Sequence, residues 1–289
     1  MGLMKKRWQR RHIVEALFKL AMRISLVIVA GSLGLILWTV VVRGLPALTW
    51  DMITQSPKGG FYMGKVGGVL NAILGSLYLA SGGTFLSLLF SLPIALYLKT
   101  YLGDSQWGQY VRLSLDVLWG IPSIVYGAFG FILMLAIGLR ASLLAGIIVL
   151  ALIELPIMTR AMDEVIRRMP PDLEHAALAL GSTKFEVAMN IVTRQMLPGI
   201  VTAILLAFGR GIGDAASVLF TAGYTDRIPT SLMRPTASLP LAVFFQLGTP
   251  YPEVQQRGYA SALILTIIVL AVSLGSRWIS ARLHKYTVK

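Results

Sequence analysis

Residues 69–98 read VLNAILGSLYLASGGTFLSLLFSLPIALYL, thirty positions without one Asp, Glu, Lys or Arg. A bilayer core about 30 Å thick is crossed by about 20 helical residues rising 1.5 Å each, so this stretch suffices to span it. The rest of the chain has the same character. Of 289 residues, 56% are hydrophobic and 13% charged, with a mean hydropathy of +0.72. A soluble domain carries about 25% charged residues, and half that charge excludes both a water-soluble enzyme and a disordered tail. There is no cysteine, so disulfides, thiolate nucleophiles and sulfur metal sites are excluded. His12, His175 and His284 are too scattered to form a zinc site.

Five further stretches meet or approach the spanning length: Ile24–Val42, Leu113–Leu139, Ser142–Met158, Pro198–Ala222 and Tyr259–Ile279. The expected fold is therefore all-α and polytopic, with six transmembrane helices. The first stretch follows Lys5-Lys6-Arg7, but it is too long for a typical signal-peptide core and no A-x-A site follows it. It is read as a retained helix.

Basic residues set the expected orientation. Eighteen lie in residues 1–23, 99–112, 160–196 and after Gly275, against seven in the segments between, with Arg210, inside an apolar stretch, the remaining one. The positive-inside rule then places both termini and the 99–112 and 160–196 loops in the cytoplasm. The formal charge of +13 is largely topology, and a nucleic-acid partner is not implied. The expected parts are a cytoplasmic amphipathic segment at 1–23, a permease-like membrane domain at 24–280 and a tail at 281–289. In the first of these, Trp8, Ile13, Val14, Leu17, Phe18 and Met22 interleave with charges at helical spacing, as in a helix lying on a leaflet or a plain basic anchor.

One motif is a decoy. Gly59-Gly60-Phe61-Tyr62-Met63-Gly64-Lys65-Val66 follows the phosphate-loop pattern until its last position, where Val replaces the Ser or Thr that reaches magnesium. No strand precedes it, and ATP binding by this chain is not expected. No cofactor or metal is assigned to the chain itself.

The 160–197 loop has a composition of its own. Pro170-Pro171-Asp172 starts a helix, and Leu173, Ala176, Ala177 and Leu180 follow at i, i+3, i+4 and i+7 before Gly181 stops it. Ser182-Thr183 can cap a second helix with Phe185, Ala188, Met189 and Val192 along one side. On pattern alone the pair is either a coupling element or a cover for the bundle end.

Residues 173–181 (LEHAALALG), with Ile191 and Pro198-Gly199-Ile200 after them, resemble the EAA loop of bacterial ABC importer permeases. Gly67–Leu77 (GGVLNAILGSL), Gly120–Gly127 (GIPSIVYG) and Gly209–Asp214 (GRGIGD) with Leu219-Phe220-Thr221-Ala222 narrow the resemblance to phosphate-specific transport (Pst) permeases, the PstA half more than the PstC half. The likeness covers about residues 60 to 280. It departs at His175, which stands where the family has an acid, with Glu174 one place early. It departs again at Thr193-Arg194, where the family has Leu-Pro, and at Asp214, where the family has Glu.

This resemblance implies the type I importer permease fold. It implies a PstC-like second permease, a PstB-like ATP-binding dimer, a PstS-like phosphate-binding protein and a membrane-lipid setting as partners. It also implies that Glu174, His175, Ala176, Ala177 and Gly181 couple the spans to the ATPase. Gly181 allows positive φ in the bend, where a side chain would oppose it.

Charges inside the membrane are the candidate pathway residues. Arg210 lies about twelve residues into the fifth stretch, near 18 Å at 1.5 Å per residue, where an Arg costs about 2.5–3.5 kcal/mol on insertion scales. Asp214 follows at i+4, on the same face of a continued helix. Two roles fit the pair: Arg210 binds the phosphate dianion while Asp214 holds it when empty, or the two form a permanent ion pair between helices. Glu154 could balance Arg210 or Arg160, or reach the interface as Asp116 does. Arg160 could meet exiting phosphate or anchor the span. Pro122 and Pro156 can kink their helices, and Ser123 could offer the pathway a hydroxyl. An importer of molybdate or phosphonate, and a secondary transporter or channel, are the alternative functions.

Overall fold

The computed structural model describes residues 2–58 and 66–283, with side chains from 11 to 58 and from 66 to 282. Residues 59–65 of the decoy and residues 284–289, His284 among them, lie outside the described residues. Against the sequence reading a two-residue strand, Pro57–Lys58, does precede the decoy, and Val66 after it is again strand rather than the start of a helix. The elements are α1 (Gly2–Gly44), α2 (Trp50–Thr54), a two-stranded ribbon of β1 (Pro57–Lys58) and β2 (Val66–Gly67), α3 (Leu70–Tyr97) and a π-helical turn (Leu98–Leu102). Then come α4 (Gln106–Gly120), α5 (Ser123–Ala136), α6 (Leu143–Arg167), α7 (Pro171–Ala179), α8 (Lys184–Glu186), a second π-helical turn (Val187–Val192) and α9 (Thr193–Gln195). Last are α10 (Leu197–Ile212), α11 (Leu239–Leu247) and α12 (Pro252–Leu283).

Among the described residues four helices, α1, α3, α6 and α12, are each long and apolar enough to cross a bilayer. The count reaches six only with two bent pairs. The basic N-terminal segment and the first apolar stretch form one helix of 43 residues, about 64 Å long at 1.5 Å per residue. Gly44 ends it where a Cβ would strike the Tyr259 and Ala260 backbone, and Arg43 lies over the Tyr259 ring and donates to its hydroxyl at 3.2 Å. This contact joins the end of α1 to the start of α12, and the two helices pack together antiparallel, so that Gly2 and Leu283 mark one end, the terminal end, of the described molecule. The remaining apolar length of α1 is exposed.

The centre is the α3–α6 pair. Small residues of α3 (Gly75, Ala80, Gly83, Ser87 and Ser91 among them) are buried along its length, which lets backbones approach closely where lipid provides no hydrophobic drive between helices. Gly82 sits on Ile147 and Gly83 on Leu150. Helix α6 continues through Pro156 to Arg167, so the fourth stretch is longer than Ser142–Met158. The connecting loop begins after Arg167 rather than at 160.

Two stretches depart from the expected straight spans. The third, Leu113–Leu139, breaks at Ile121-Pro122 into α4 and α5, bent by 94°. Proline lacks the amide that would continue α4 and sets the extended turn before Ser123. The fifth, Pro198–Ala222, is helical only to Ile212; sixteen residues give about 24 Å, less than the bilayer core. Residues 213–238 are turns and irregular chain, a backbone tolerated at membrane depth only when walled by protein. The walls are present: Gly127 of α5 rests on the Ala216 and Ser217 carbonyls, Gly146 of α6 on Ala222, and Gly75 of α3 on Thr236 and Ala237. Neighbours also take up its polar groups. Ser142 N donates to Thr221 O (2.9 Å), Leu143 N to Arg234 O (2.8 Å), Leu239 N to Ser76 Oγ (2.7 Å) and Asn71 Nδ2 to Thr225 O (2.7 Å).

At the terminal end, α7 to α9 fold under the bundle. Ala177, Val187, Ala188 and Val192 are buried with Met158, Met162 and Ile166 of α6 and with Ile200, Ala203 and Ala207 of α10.

Candidate functional site

Helix α10 carries the site because its two faces differ. Ala203, Ala207 and Gly211 are buried against the α6 side, while Arg210 points the other way and is exposed. The helix stops within a run of glycines. Gly213 N and Asp214 N bond back to Arg210 O and Gly211 O at 3.2 Å each, and Asp214 Oδ1 accepts from Ser217 N at 2.9 Å. This local turn directs the chain into the irregular segment. Asp214 therefore lies past the helix end rather than at i+4 on it. Among the described residues no ion pair or hydrogen bond joins Arg210 to Asp214, or Arg210 to any other side chain, so in this conformation Asp214 neither holds Arg210 nor forms a permanent pair with it.

Both residues line one cavity of about 540 Å³, with Trp119 of α4, Ile157 of α6, Leu206 of α10, and Val269 and Ser273 of α12. Arg210 is thirteen residues beyond Leu197, about 20 Å from the terminal end of its helix.

The other intramembrane candidates occupy different places. Glu154 is fully buried behind α10, its carboxylate against Gly211, and neither oxygen has a hydrogen-bond partner among the described residues. Thr84 Oγ1 and Ser217 Oγ are likewise buried and unpartnered. Ser123 begins α5 just past the bend, half-buried.

Arg160 belongs to a charge network between α4 and α6. Its Nε donates to Asp116 Oδ1 at 2.6 Å and its Nη1 to Asp163 Oδ2 at 3.2 Å. Asp163 also receives Nε and Nη2 of Arg112 at 2.8 and 3.2 Å, and Arg112 donates to Gly103 O at 2.7 Å. Sequence patterns did not single out Arg112 or Asp163. They are 51 residues apart, and the only signal was one unmatched acid and one unmatched base at the terminal ends of two apolar stretches.

On the loop, Gly181 has φ +90° with open space around it, as the expected bend requires. Thr183 caps α8 in a reciprocal capping box with Glu186. The faces of α7 differ from expectation. Ala177 is buried and Leu173 half-buried, whereas Ala176 is exposed and Leu180 is 89% exposed; the helix is too short to hide the full periodic stripe. Glu174 turns toward Lys99 at 3.8 Å, and His175 is exposed.

Comparison with known proteins gives a consistent result. Residues 91–287 match the profile of the family described as "binding-protein-dependent transport system inner membrane component". The phosphate transport system permease protein PstA of Haemophilus influenzae is 33% identical over 258 residues, covering 88% of this chain and 89% of that protein. Phosphate transport system permease protein PstA 1 of Mycobacterium tuberculosis is 34% identical over 276 residues, covering 93% and 90%. Among solved structures, a chain of the MetNI methionine ABC transporter in an inward-facing conformation aligns with a TM-score of 0.60 at 16% identity. That alignment covers 74% of this chain and 95% of that one, a likeness of fold.

Proposed function

Because the chain belongs to the family of binding-protein-dependent transport system inner membrane components, we propose that it is a permease subunit of an ATP-driven importer of inorganic phosphate. Its fold is that of type I ABC importer permeases, and relatives named for phosphate transport match nearly its whole length. The observation that carries the phosphate reading is Arg210, a cation that lines a cavity between helices and has no protein partner among the described residues. A guanidinium binds a phosphate oxyanion through paired, charge-assisted hydrogen bonds, and the solute replaces the counter-ion that the protein leaves out. Asp214 shares the cavity without contacting Arg210.

The chain is a transport subunit and does not hydrolyse ATP; an ATP-binding dimer does, with its own ATP and magnesium. That dimer receives the exposed side of α7 and α8, around His175, Ala176, Leu180 and Gly181. A homologous second permease completes the pathway, and a phosphate-binding protein delivers the anion at the end away from the termini. The positive-inside distribution places both termini in the cytoplasm.

Uptake of labelled phosphate into vesicles containing the reconstituted complex, with and without ATP, tests this reading. Arg210→Gln is expected to abolish uptake while all subunits remain assembled. Wild-type flux in that variant would overturn the site. Uptake independent of ATP would point to a secondary transporter or channel, and preferential competition by molybdate or a phosphonate would point to another oxyanion.

A further inference from the structure

The cavity that holds Arg210 is walled by Trp119 of α4 and Ile157 of α6. Three residues nearer the terminal end on each helix, on the same faces, stand Asp116 and Arg160. These two side chains are joined at 2.6 Å, so an ion pair bridges the two walls one turn inward from the cavity. The neighbouring Arg112–Asp163 pair is nearly inaccessible, at 8% and 0% exposure, whereas Arg160 and Asp116 are 24% and 44% exposed. Exposed pairs contribute little and exchange partners readily, and buried ones do not.

We propose that the Asp116–Arg160 ion pair is the inner gate of the transport route, opened when the passing anion takes the place of Asp116 on Arg160. This rests on the phosphate-importer reading above. While the pair is closed, the rim of the cavity is neutral and offers a departing anion no cation. When it opens, Asp163 still holds Nη1 of Arg160, which keeps the guanidinium in place with donors free for an oxyanion. The Arg112–Asp163 pair fixes the base of α4 meanwhile.

The structure also supplies a connection for opening the gate. Helix α4 follows directly on the 98–105 turn, where Lys99 contacts Glu174 of α7 at 3.8 Å and Lys184 lies over the Tyr101 ring at 5.8 Å. Its other end stops at the bend before Pro122, where the Tyr126 hydroxyl donates to Leu118 O at 2.9 Å. A displacement of α7 and α8 is therefore handed to the helix that carries Asp116.

The test uses the assembled complex in vesicles loaded with labelled phosphate. Asp116→Asn is expected to raise ATP-independent phosphate efflux by about fivefold, the factor by which loss of a half-exposed pair shifts an open–closed equilibrium. Asp116→Glu should keep efflux at the wild-type level. Arg160→Gln is expected to lower ATP-driven uptake at least about fivefold while the complex stays assembled, because the departing anion then meets no cation. Efflux from Asp116→Asn equal to wild type, or wild-type uptake by an assembled Arg160→Gln complex, overturns the gate in a complex whose wild-type form takes up phosphate with ATP. A wild-type complex that takes up no phosphate overturns the importer reading instead.

Discussion

The carboxylate of Glu154 rests on Gly211, in the space a side chain at position 211 would occupy. Helices α6 and α10 thus meet through a buried acid and a glycine, one residue along from the cation that faces the cavity. Gly211→Ala is expected to destabilise the protein by about 1–3 kcal/mol, the usual effect of overpacking. The loss should shrink when Glu154→Ala is also made. A double-mutant cycle on thermal unfolding reads the coupling, and strictly additive losses would show that the two residues do not meet.

Neither oxygen of Glu154 has a hydrogen-bond partner among the described residues. Glu154→Met keeps much of the volume and removes the orphaned polar group, and is expected to stabilise the chain by about 1–3 kcal/mol. A lower unfolding temperature for this variant would mean that the carboxylate is satisfied in the assembled protein.

Arg112→Met leaves Asp163 buried with only the single Nη1 contact of Arg160. Breaking a buried pair by removing one partner costs about 3–5 kcal/mol, so the yield of folded protein and its unfolding temperature should both fall sharply. Arg112→Lys should recover only part of the loss, because an ammonium cannot span both oxygens of Asp163 and the Gly103 carbonyl as the planar fork does.

Gly181→Glu forces a side chain into the left-handed region at φ +90°, at a backbone cost of about 1–2 kcal/mol. The surroundings are open, so insertion and assembly should survive. The expected defect is functional: ATP hydrolysis by the complex continues while phosphate uptake is lost. Normal uptake by the variant would remove the bend from the coupling path.

The Thr183 capping box holds the Glu186 carboxyl below its ordinary value of 4.5, through the backbone and then the hydroxyl hydrogen bond of Thr183. A carboxylate favoured in this way lends its stability fully above the ordinary value and loses it as pH falls through the lowered one. Amide exchange in residues 183–187 should therefore accelerate relative to the rest of the loop when pH is taken below that value, once the intrinsic pH dependence of exchange is divided out. Thr183→Ala should show the faster exchange already at neutral pH.

Much of this architecture is legible in the chain because the bilayer makes simple demands. Long uncharged runs had to be helices, and basic residues had to cluster at one end. The loop was readable because Pro171, Gly181 and Thr183 each act on their own backbone. The bend at Gly120–Pro122 was half legible: proline announces a break, but its angle of 94° depends on where Gly127 and Gly130 find flat surfaces to meet. The early end of α10 was hidden because Ala215 to Ala222 is as apolar as any helix. There the glycines at 209, 211 and 213 outweighed hydropathy. The Arg112–Asp163 pair left no periodic trace, since it depends on two distant segments being brought together. Arg210 was visible as a charge out of place, whereas its lack of a partner required the fold.

Residues 213–238 add a consequence for the order of biogenesis. A helix leaving the translocon carries its own hydrogen bonds and can settle in lipid alone, but this stretch borrows partners from Asn71, Ser142 and Leu143. It has no stable resting place until α3 and α6 stand side by side, so it must be among the last parts to find its seat, and the Arg210 cavity is completed only when that late arrival closes over it.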